Sequence, residues 1–375
     1  MKVIFTCGGT AGHINPAVGV AGKLKEITDP CEVLFIGAEN NMEMELVPRE
    51  GYAICPIRIT NLSRGHDLEA VKHNIDTVKN VLLSTRAARK IIREFQPDVV
   101  VGTGGYVCYP VLVAAHELGI PTVIHESNAA PGLTTKLLTH TVDRILVGVE
   151  DCRDLYPDPS KVIFTGTPVR GAFSSGTRQS AREVLGISED EKLVLSVWGS
   201  LGAGRMNDII LNMIPTVCRS RSFRLVHATG ARYYEDFSKR LAEKSPENLS
   251  GSVDVRPYIH EMACYMTAAD LVICRAGAST LSELTAMGKP AILVPSPNVT
   301  NNHQEKNARV LEKAGGARVL TEEGLNEDVL YHEIESILSD NHTLESMGNR
   351  LKSLSCADSS DRICDVILQL VKERL

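Results

Sequence analysis

The chain has 375 residues, a length that suits two domains rather than one. Its 40 Lys and Arg against 46 Asp and Glu give a formal net charge of -6, which excludes a globally basic nucleic-acid binder. Hydrophobic residues make up 43%, enough for an ordinary globular core, and aromatic residues only 5%, too few for a base-stacking platform.

The cysteines and the apolar runs indicate the compartment. Ten cysteines are scattered without CxxC pairs or zinc-finger spacing, a pattern typical of a reduced, cytoplasmic protein. The first apolar run is four residues long and ends before Gly8, too short for a signal peptide. No segment approaches the roughly 18 apolar residues of a membrane span, so we expect membrane contact, if any, at the surface.

Short runs rich in Val, Ile and Leu alternate with helical stretches. Near-continuous apolar runs are typical of parallel strands buried on both faces, with the helices as crossovers. The predicted strands cover residues 3–6, 33–37, 98–102, 121–125, 144–147, 162–166, 192–197, 224–228, 253–257, 271–274, 291–294 and 317–320.

The strand–turn–helix order starts twice, at residue 3 and at residue 193. The sequence therefore predicts an α/β protein of two Rossmann-like domains facing each other across a cleft. We expect the first domain over residues 1–166, with a first helix from about Pro16, and the second over 167–350. Residues 351–375 are predicted to form a helix that packs back on the first domain.

Four glycine-rich turns follow predicted strands, at residues 7–13, 102–106, 199–204 and 274–283. Ligands of open parallel sheets bind at the carboxyl ends of the strands, glycine allows close approach, and helix N-termini favour anions. The turns together predict a diphosphate-containing ligand in the cleft between the domains. None matches GxxxxGK[ST], which disfavours a P-loop NTPase, and the first turn does not keep GxGxxG spacing, which disfavours an NAD enzyme. Nothing in the sequence requires a metal.

Three charged or titratable residues at these turns each admit two interpretations. Glu283, expected in the first turn of a helix, either complements the helix dipole or accepts ribose hydroxyls. Arg170, at the domain join, is either a surface charge or a phosphate contact. His13 is either structural or a general base.

Five motifs in order resemble one enzyme family: GGTAGHINPA at residues 8–17, GTGGYV at 102–107, HESNAAPG at 125–132, CRAGAST at 274–280 and PSPNVTNNHQEKNA at 295–308. They are similar to the motifs of the MurG family. The resemblance implies a fold of the GT-B type and inverting, metal-independent transfer of N-acetylglucosamine (GlcNAc). The donor would be UDP-GlcNAc, a substrate rather than a cofactor. The acceptor would be the C4 hydroxyl of the MurNAc of lipid I, and the product lipid II of peptidoglycan.

The resemblance also implies the cellular setting. The enzyme would be peripheral at the cytoplasmic face of the cell membrane, with an anionic membrane surface as partner and no nucleic acid. Proteins of cell-wall synthesis or division are further implied partners.

Carried over by motif, His13 is the candidate base. The acceptor side is assigned to Gly104, Gly105, Tyr106 and Glu126. The implied donor-binding residues are Thr10, Ala11, Gly12, Asn128, Arg170, Ser200, Ile259, Ala278, Ser279, Thr280, Leu281, Ser282, Glu283, Gln304 and Asn307. Ile259 would contact uracil, Glu283 the ribose, residues 278–282 the diphosphate, and Gln304 with Asn307 the sugar.

The chain departs from the family pattern at a few positions. Ala11 replaces a glycine of the first loop, Ser127 replaces a Gln, and Trp198 and Leu201 alter the GGSQGA run. The resemblance therefore lacks a Gln contact to the donor, and it does not predict how tightly this chain binds the donor.

One basic, amphipathic stretch suits the lipid acceptor. Residues 71–93 contain six basic residues and one acidic residue. A helix with apolar residues flanked by Lys and Arg can rest on an anionic membrane, although a crossover helix packed on the sheet explains part of the same pattern. The expected membrane face consists of Lys72, Ile75, Lys79, Leu82 and Arg86, with Ile75 and Leu82 as its exposed apolar positions.

Three functions stay open at this point. The first is the GlcNAc transferase. The second keeps the fold but changes the reaction, to a UDP-GlcNAc epimerase or another glycolipid transferase. The third is a non-catalytic nucleotide-sugar-binding protein. Tyr106 and Asn128 favour lipid I as acceptor, and the intact His13 and Glu283 argue against a non-catalytic protein.

Overall fold

The computed structural model describes residues 1–60, 68–169, 173, 176–199, 202–244, 251–299 and 302–374, and only the backbone at 68–79 and 151. The chain forms two compact units. The first comprises Met1–Arg170 with Cys356–Leu375, and the second Gly171–Ser355. The first boundary between the units follows residue 170 and the second follows residue 355, a few residues after the expected boundaries at 166 and 350.

The first unit is built on a seven-stranded parallel sheet of order β3-β2-β1-β4-β5-β6-β7. Its strands are β1 (Lys2–Thr6), β2 (Glu32–Ala38), β3 (Ala53–Ile57), β4 (Val99–Gly102), β5 (Thr122–Glu126), β6 (Arg144–Val147) and β7 (Val162–Phe164). The helices between them are α1 (Ala11–Ile27), α2 (Glu43–Arg49), α3 (Leu68–Phe95), α4 (Cys108–Glu117) and α5 (Leu133–Leu138), with 3-10 turns at Glu150–Leu155 and Pro159–Lys161.

Strand β1 lies between two neighbours that the chain reaches in opposite directions. Val3 pairs with Val33 of β2 on one side and with Val99 of β4 on the other. The chain therefore winds outward through β2 and β3, then crosses back to β4. This reversal is the topological switch point of the sheet, where open α/β sheets bind ligands.

The second unit repeats the plan with a six-stranded parallel sheet of order β10-β9-β8-β11-β12-β13. Its strands are β8 (Leu193–Val197), β9 (Arg224–Ala228), β10 (Val253–Arg256), β11 (Leu271–Cys274), β12 (Ala291–Leu293) and β13 (Ala317–Val319). Its helices are α6 (Arg178–Leu185), α7 (Gly204–Ser220), α8 (Ala231–Lys244), α9 (Met262–Ala268), α10 (Ala278–Met287), α11 (His303–Lys313), α12 (Glu327–Leu338) and α13 (Asn341–Ser353). The switch point lies between β8 and β11.

The last helix, α14 (Ser359–Lys372), belongs to the first unit. Its buried residues Ile363, Ile367 and Leu370 join the core formed by β1 and α1. Asp361 adds an ion pair with Lys23 of α1, with Nζ and Oδ1 2.9 Å apart.

The α/β class with two Rossmann-like sheets is confirmed, but one strand is missing from the predicted set and the predicted start of one helix is wrong. Strand β3 was not predicted because Pro56 interrupts its short apolar run, and proline is tolerated only at sheet edges, where β3 lies. Helix α1 begins at Ala11, not near Pro16. Among the described residues, no helix is both long and apolar enough to cross a membrane. All ten cysteines are free.

Candidate functional site

Two glycine loops meet at the switch point of the first unit. The Gly8 N–H donates to the Gly104 carbonyl at 3.2 Å. Gly105 has φ +92°, and a Cβ there would lie 2.3 Å from the Gly8 carbonyl oxygen. Only glycine permits this approach, so the loops after β1 and β4 form one continuous backbone surface.

His13 is held against this surface. Because α1 begins at Ala11, His13 lies in the first turn of the helix, and its carbonyl accepts a 2.6 Å hydrogen bond from the Thr103 hydroxyl. A Cβ on Gly104 would lie only 2.3 Å from His13 Nδ1, so the imidazole packs directly on the Gly104 backbone. The loop pair thus brings His13 together with the predicted residues Thr10, Ala11, Gly12, Gly104 and Gly105.

A buried carboxylate that the sequence analysis missed braces the first loop. Glu43, at the start of α2, is completely buried. Its Oε2 accepts the Gly9 N–H at 3.1 Å, and its Oε1 accepts the Ala38 N–H at 3.0 Å. A Cβ on Gly8 would lie 2.4 Å from Oε1, so the loop and the carboxylate fit only with glycine there.

Tyr106 connects the second loop to the same group. Its hydroxyl oxygen lies 2.5 Å from Nδ2 of Asn41, which in turn lies 3.4 Å from Oε1 of Glu43. The Tyr106 ring lies beside the first loop, with Cε1 3.8 Å from a Cβ placed on Gly9. The hydroxyl of Tyr106, predicted on the acceptor side, is therefore held by Asn41 of the β2–α2 connection, and Asn41 is held in turn by Glu43.

Glu126, at the end of β5, organises its own loop. Its Oε1 accepts from the backbone and the side-chain nitrogen of Asn128, at 3.1 and 2.7 Å. Its Oε2 accepts from the Gly132 N–H at 2.9 Å and from the Thr135 hydroxyl at 2.7 Å. The buried carboxylate is thus turned into its own loop, where it positions Asn128.

The departure at Ser127 has a structural role. Burial lowers the pKa of the neighbouring His125, whose Nε2 lies 2.8 Å from the Gly166 carbonyl oxygen. The Ser127 hydroxyl lies 3.3 Å from Nδ1 of the same ring. Ser127 therefore gives the buried imidazole of His125 a second hydrogen-bond partner.

The second unit presents a helix N-terminus at its switch point. Helix α10 begins at Ala278 directly after the turn that follows β11, and its N-cap, Gly277, is extended and offers no side-chain cap. The first N–H groups of a helix have no acceptor within it and carry partial positive charge. The first turn and Ser282 thus form the kind of site that binds an anionic group.

Glu283 lies one turn farther along α10 than expected. It is the sixth residue of the helix, and the first turn contains no acidic residue. The expectation of a first-turn position is wrong, and the helix-dipole interpretation falls with it. Burial raises the pKa of Cys274 to about 12, and the Glu283 carboxylate adds to that shift, so its charge lies near the end of β11.

The two predicted sugar-binding side chains sit on α11 and contact neighbouring turns. Gln304 Oε1 accepts the Ser296 N–H at 2.9 Å. The buried Asn307 donates from Nδ2 to the Ala276 carbonyl at 3.3 Å. The Asn307 bond ties α11 to the turn that precedes the α10 N-terminus, and the Gln304 bond ties it to the segment that follows β12.

A second group of residues that sequence reasoning missed supports that turn. Arg275 pairs with Glu322, Nη2 to Oε1 at 2.5 Å, and its Nη1 donates to the Val294 carbonyl at 3.1 Å. Its guanidinium carbon lies 5.7 Å from the ring centre of the buried Trp198. Trp198, a departure from the family pattern, therefore serves as packing for Arg275.

The remaining predicted residues divide between described and undescribed parts of the chain. Ile259 is buried in the segment between β10 and α9. Arg170, Ser200 and Leu201 lie outside the described residues. The described part of the chain holds no group of three His, Cys, Asp or Glu side chains placed to bind a metal.

The expected membrane face lies on the long helix α3. Leu82 is 70% exposed and Leu83 64% exposed, while Ser84, Thr85 and Ala88 on the other side are buried. Arg86 is also exposed. Lys72, Ile75 and Lys79 belong to the part of α3 whose side chains are not described, but helical spacing places their positions on the same face as Leu82 and Arg86.

Two doubly wound parallel sheets, each with such a switch point, give the chain a two-domain α/β fold of the GT-B type. Models of the glycosyltransferase family 28 N-terminal and C-terminal domains match residues 3–147 and 193–363. The chain belongs to glycosyltransferase family 28.

Known proteins resemble the chain over its full length. It is 43% identical to UDP-N-acetylglucosamine--N-acetylmuramyl-(pentapeptide) pyrophosphoryl-undecaprenol N-acetylglucosamine transferase from Acetivibrio thermocellus, over 100% of this chain and 99% of that protein. The crystal structure of MurG from Acinetobacter baumannii is 28% identical and covers 98% of this chain and 99% of its own, with a TM-score of 0.75.

An epimerase shares the fold as well. The UDP-GlcNAc 2-epimerase from Neisseria meningitidis, solved with UDP-GlcNAc bound, has a TM-score of 0.69 at 15% identity, over 98% of this chain and 100% of its own. The fold alone therefore does not separate a transferase from an epimerase.

Proposed function

We propose that this protein transfers GlcNAc from UDP-GlcNAc to the C4 hydroxyl of the MurNAc of lipid I, with inversion, giving lipid II. The observation that carries the proposal is its 43% identity, from end to end, to a transferase of that name. The glycine loops with His13 and the uncapped N-terminus of α10 supply groups suited to the chemistry.

The second unit is proposed to hold the donor. The α10 N-terminus, residues 278–282, would receive the diphosphate, because uncapped N–H groups and the helix dipole favour negative charge there. Glu283 would accept the ribose hydroxyls, since its carboxylate lies toward the carboxyl end of β11. Gln304 and Asn307 would contact the sugar, Ile259 the uracil, and Ser200 and Arg170 the phosphates.

The first unit is proposed to hold the acceptor and the base. His13 would take the proton of the C4 hydroxyl as its oxygen attacks C1 of GlcNAc. The bond between C1 and the diphosphate oxygen breaks in the same displacement, and the electron pair leaves with UDP. The helix N-terminus would stabilise that developing negative charge, so the proposal requires no metal.

The lipid tail of the acceptor requires the enzyme to reach a membrane surface. We assign docking on the cytoplasmic face of the cell membrane to the exposed face of α3. Exposed Leu82 and Leu83 next to Arg86 support this assignment, since an apolar patch flanked by basic residues binds anionic lipid surfaces. The implied partner proteins of cell-wall synthesis or division stay predictions.

Incubation with labelled UDP-GlcNAc and a short-chain lipid I analogue tests the reaction. The proposal expects label in the acceptor. Free isomerised sugar would instead indicate an epimerase, and bound but unreacted donor would indicate a non-catalytic protein. Either result overturns the proposal.

A further inference from the structure

The contacts around Tyr106 determine whether its hydroxyl donates or accepts the hydrogen bond to Asn41, which is called here the polarity of the hydroxyl. Its oxygen lies 2.5 Å from an Asn41 amide atom, a distance that requires one of the two groups to donate. Which group donates depends on whether the amide nitrogen or the amide oxygen faces Tyr106.

Glu43 decides the orientation of the amide. One backbone N–H points at each of its oxygens, from Gly9 at 3.1 Å and Ala38 at 3.0 Å, so the carboxylate acts as an acceptor on both. The Asn41 amide atom that lies 3.4 Å from Glu43 Oε1 must therefore be the nitrogen. The same nitrogen faces Tyr106.

An amide nitrogen has no lone pair to offer, so Tyr106 accepts this hydrogen bond through its oxygen. Its own proton must then point elsewhere. The Tyr106 ring lies beside Gly9 between the two loops of the switch point, where ligands of such sheets bind.

We infer that the Tyr106 hydroxyl is a hydrogen-bond donor to an oxygen of the acceptor substrate, and that Asn41 and Glu43 are positioning residues that fix this polarity. The inference rests on the proposed function, because it takes the ligand of the first unit to be the acceptor. A purely structural network would brace the loops equally well whatever the direction of the hydroxyl proton.

Variants of Tyr106 and Asn41 separate these two roles. Tyr106→Phe removes only the hydroxyl and should raise the acceptor KM about 5-fold, as expected for one neutral hydrogen bond, with the donor KM unchanged. Asn41→Asp replaces the amide nitrogen by an oxygen that faces both Tyr106 and Glu43. The two carboxyl groups share one proton, so the oxygen that faces Tyr106 can accept its hydroxyl proton, and the acceptor KM should rise as much as in Tyr106→Phe. Asn41→Ala removes the donor that fixes the polarity but captures no proton, so it should raise the acceptor KM by about 2-fold, less than Asn41→Asp does.

Asn40→Asp is the matched control for the added charge. Asn40 is exposed and adjoins Asn41 in sequence, so the same charge is introduced without reaching Tyr106. The acceptor KM of this variant should stay at the wild-type value. Thermal unfolding of all variants shows which remain folded.

Acceptor analogues that each lack one oxygen identify the bond directly. The analogue that lacks the oxygen bound by Tyr106 should have an acceptor KM about 5-fold higher than the complete acceptor with the wild-type protein. With Tyr106→Phe, the two acceptors should have the same KM. This measurement does not depend on Asn41→Asp remaining folded.

An unchanged acceptor KM in Tyr106→Phe overturns the inference, as do equal effects of Asn41→Asp and Asn41→Ala in folded proteins. If the wild-type protein transfers no GlcNAc to any acceptor, the proposed function itself fails and the inference fails with it.

Discussion

Replacing Gly104 by Ala should displace the His13 imidazole and slow the chemical step. The new Cβ would lie 2.3 Å from His13 Nδ1, whereas ordinary contact begins near 3.4 Å, so the imidazole must move by about 1 Å. A misplacement of that size can lower kcat by about 100-fold. We expect that loss in Gly104→Ala, with the donor KM changed far less than kcat, because the residues proposed to bind the uracil and the ribose, Ile259 and Glu283, lie in the other unit.

Gly119→Ala is the matched control. Gly119 lies in the same unit at φ +73°, and no atom lies within 4 Å of its added Cβ. Both variants carry the strain of a side chain at positive φ, about 1–3 kcal/mol of stability, but only Gly104→Ala disturbs His13. Steady-state kinetics and thermal unfolding of the two proteins separate strain from displacement. If Gly104→Ala keeps wild-type kcat while losing the same stability as Gly119→Ala, then His13 has no part in the chemistry.

Three further predictions concern the donor, the metal and the membrane. Glu283→Ala should raise the donor KM by about 10- to 150-fold and leave the acceptor KM nearly unchanged, because a hydrogen bond to a charged group contributes about 1.5–3 kcal/mol; an unaltered donor KM removes Glu283 from the site. Activity should survive EDTA, since the diphosphate is assigned to a helix N-terminus; loss on chelation that Mg²⁺ restores contradicts this assignment. Reversing Lys72, Lys79 and Arg86 to Glu should abolish low-salt binding to anionic vesicles and spare reaction with a short-chain acceptor; persistent vesicle binding places the docking face elsewhere.

The sequence predicts the sheets well because parallel strands that are buried on both faces have continuous apolar sequences. Strands β6, β9 and β11 occur with the bounds expected from the sequence. Strand β3 is not predicted, because Pro56 argues against a central strand. The strand lies at the edge of the sheet, where a proline is tolerated. The start of α1 was misplaced because Pro16 reads as a helix start, although α1 continues through it.

The glycine turns predict where the site lies, but not which side chains hold it. Glu43 and Glu322 lie far in sequence from the residues they support, Gly9 and Arg275, so only the folded chain brings them together. The position of Glu43 could have been predicted in part from the sequence. Parallel neighbouring strands end at the same edge of a sheet, so the polar residues that follow β2 lie next to the loop that follows β1.

The direction in which a carboxylate points is also invisible in sequence. Glu126 occurs in a motif shared with the family, and its place after β5 agrees with the expected site. Its oxygens nevertheless accept bonds from its own loop, including both nitrogens of Asn128. A loop of this kind is specified by local hydrogen bonds that residue type and spacing do not encode uniquely.

The proposed reaction is tested most directly by the structure of its product. Wild-type protein incubated with UDP-GlcNAc, EDTA and a short-chain lipid I analogue should give a disaccharide whose NMR spectrum shows a β linkage to the C4 oxygen. The matching 4-deoxy acceptor should give none. A product with an α linkage, attachment at another hydroxyl, or sugar transfer to the 4-deoxy acceptor would contradict the account.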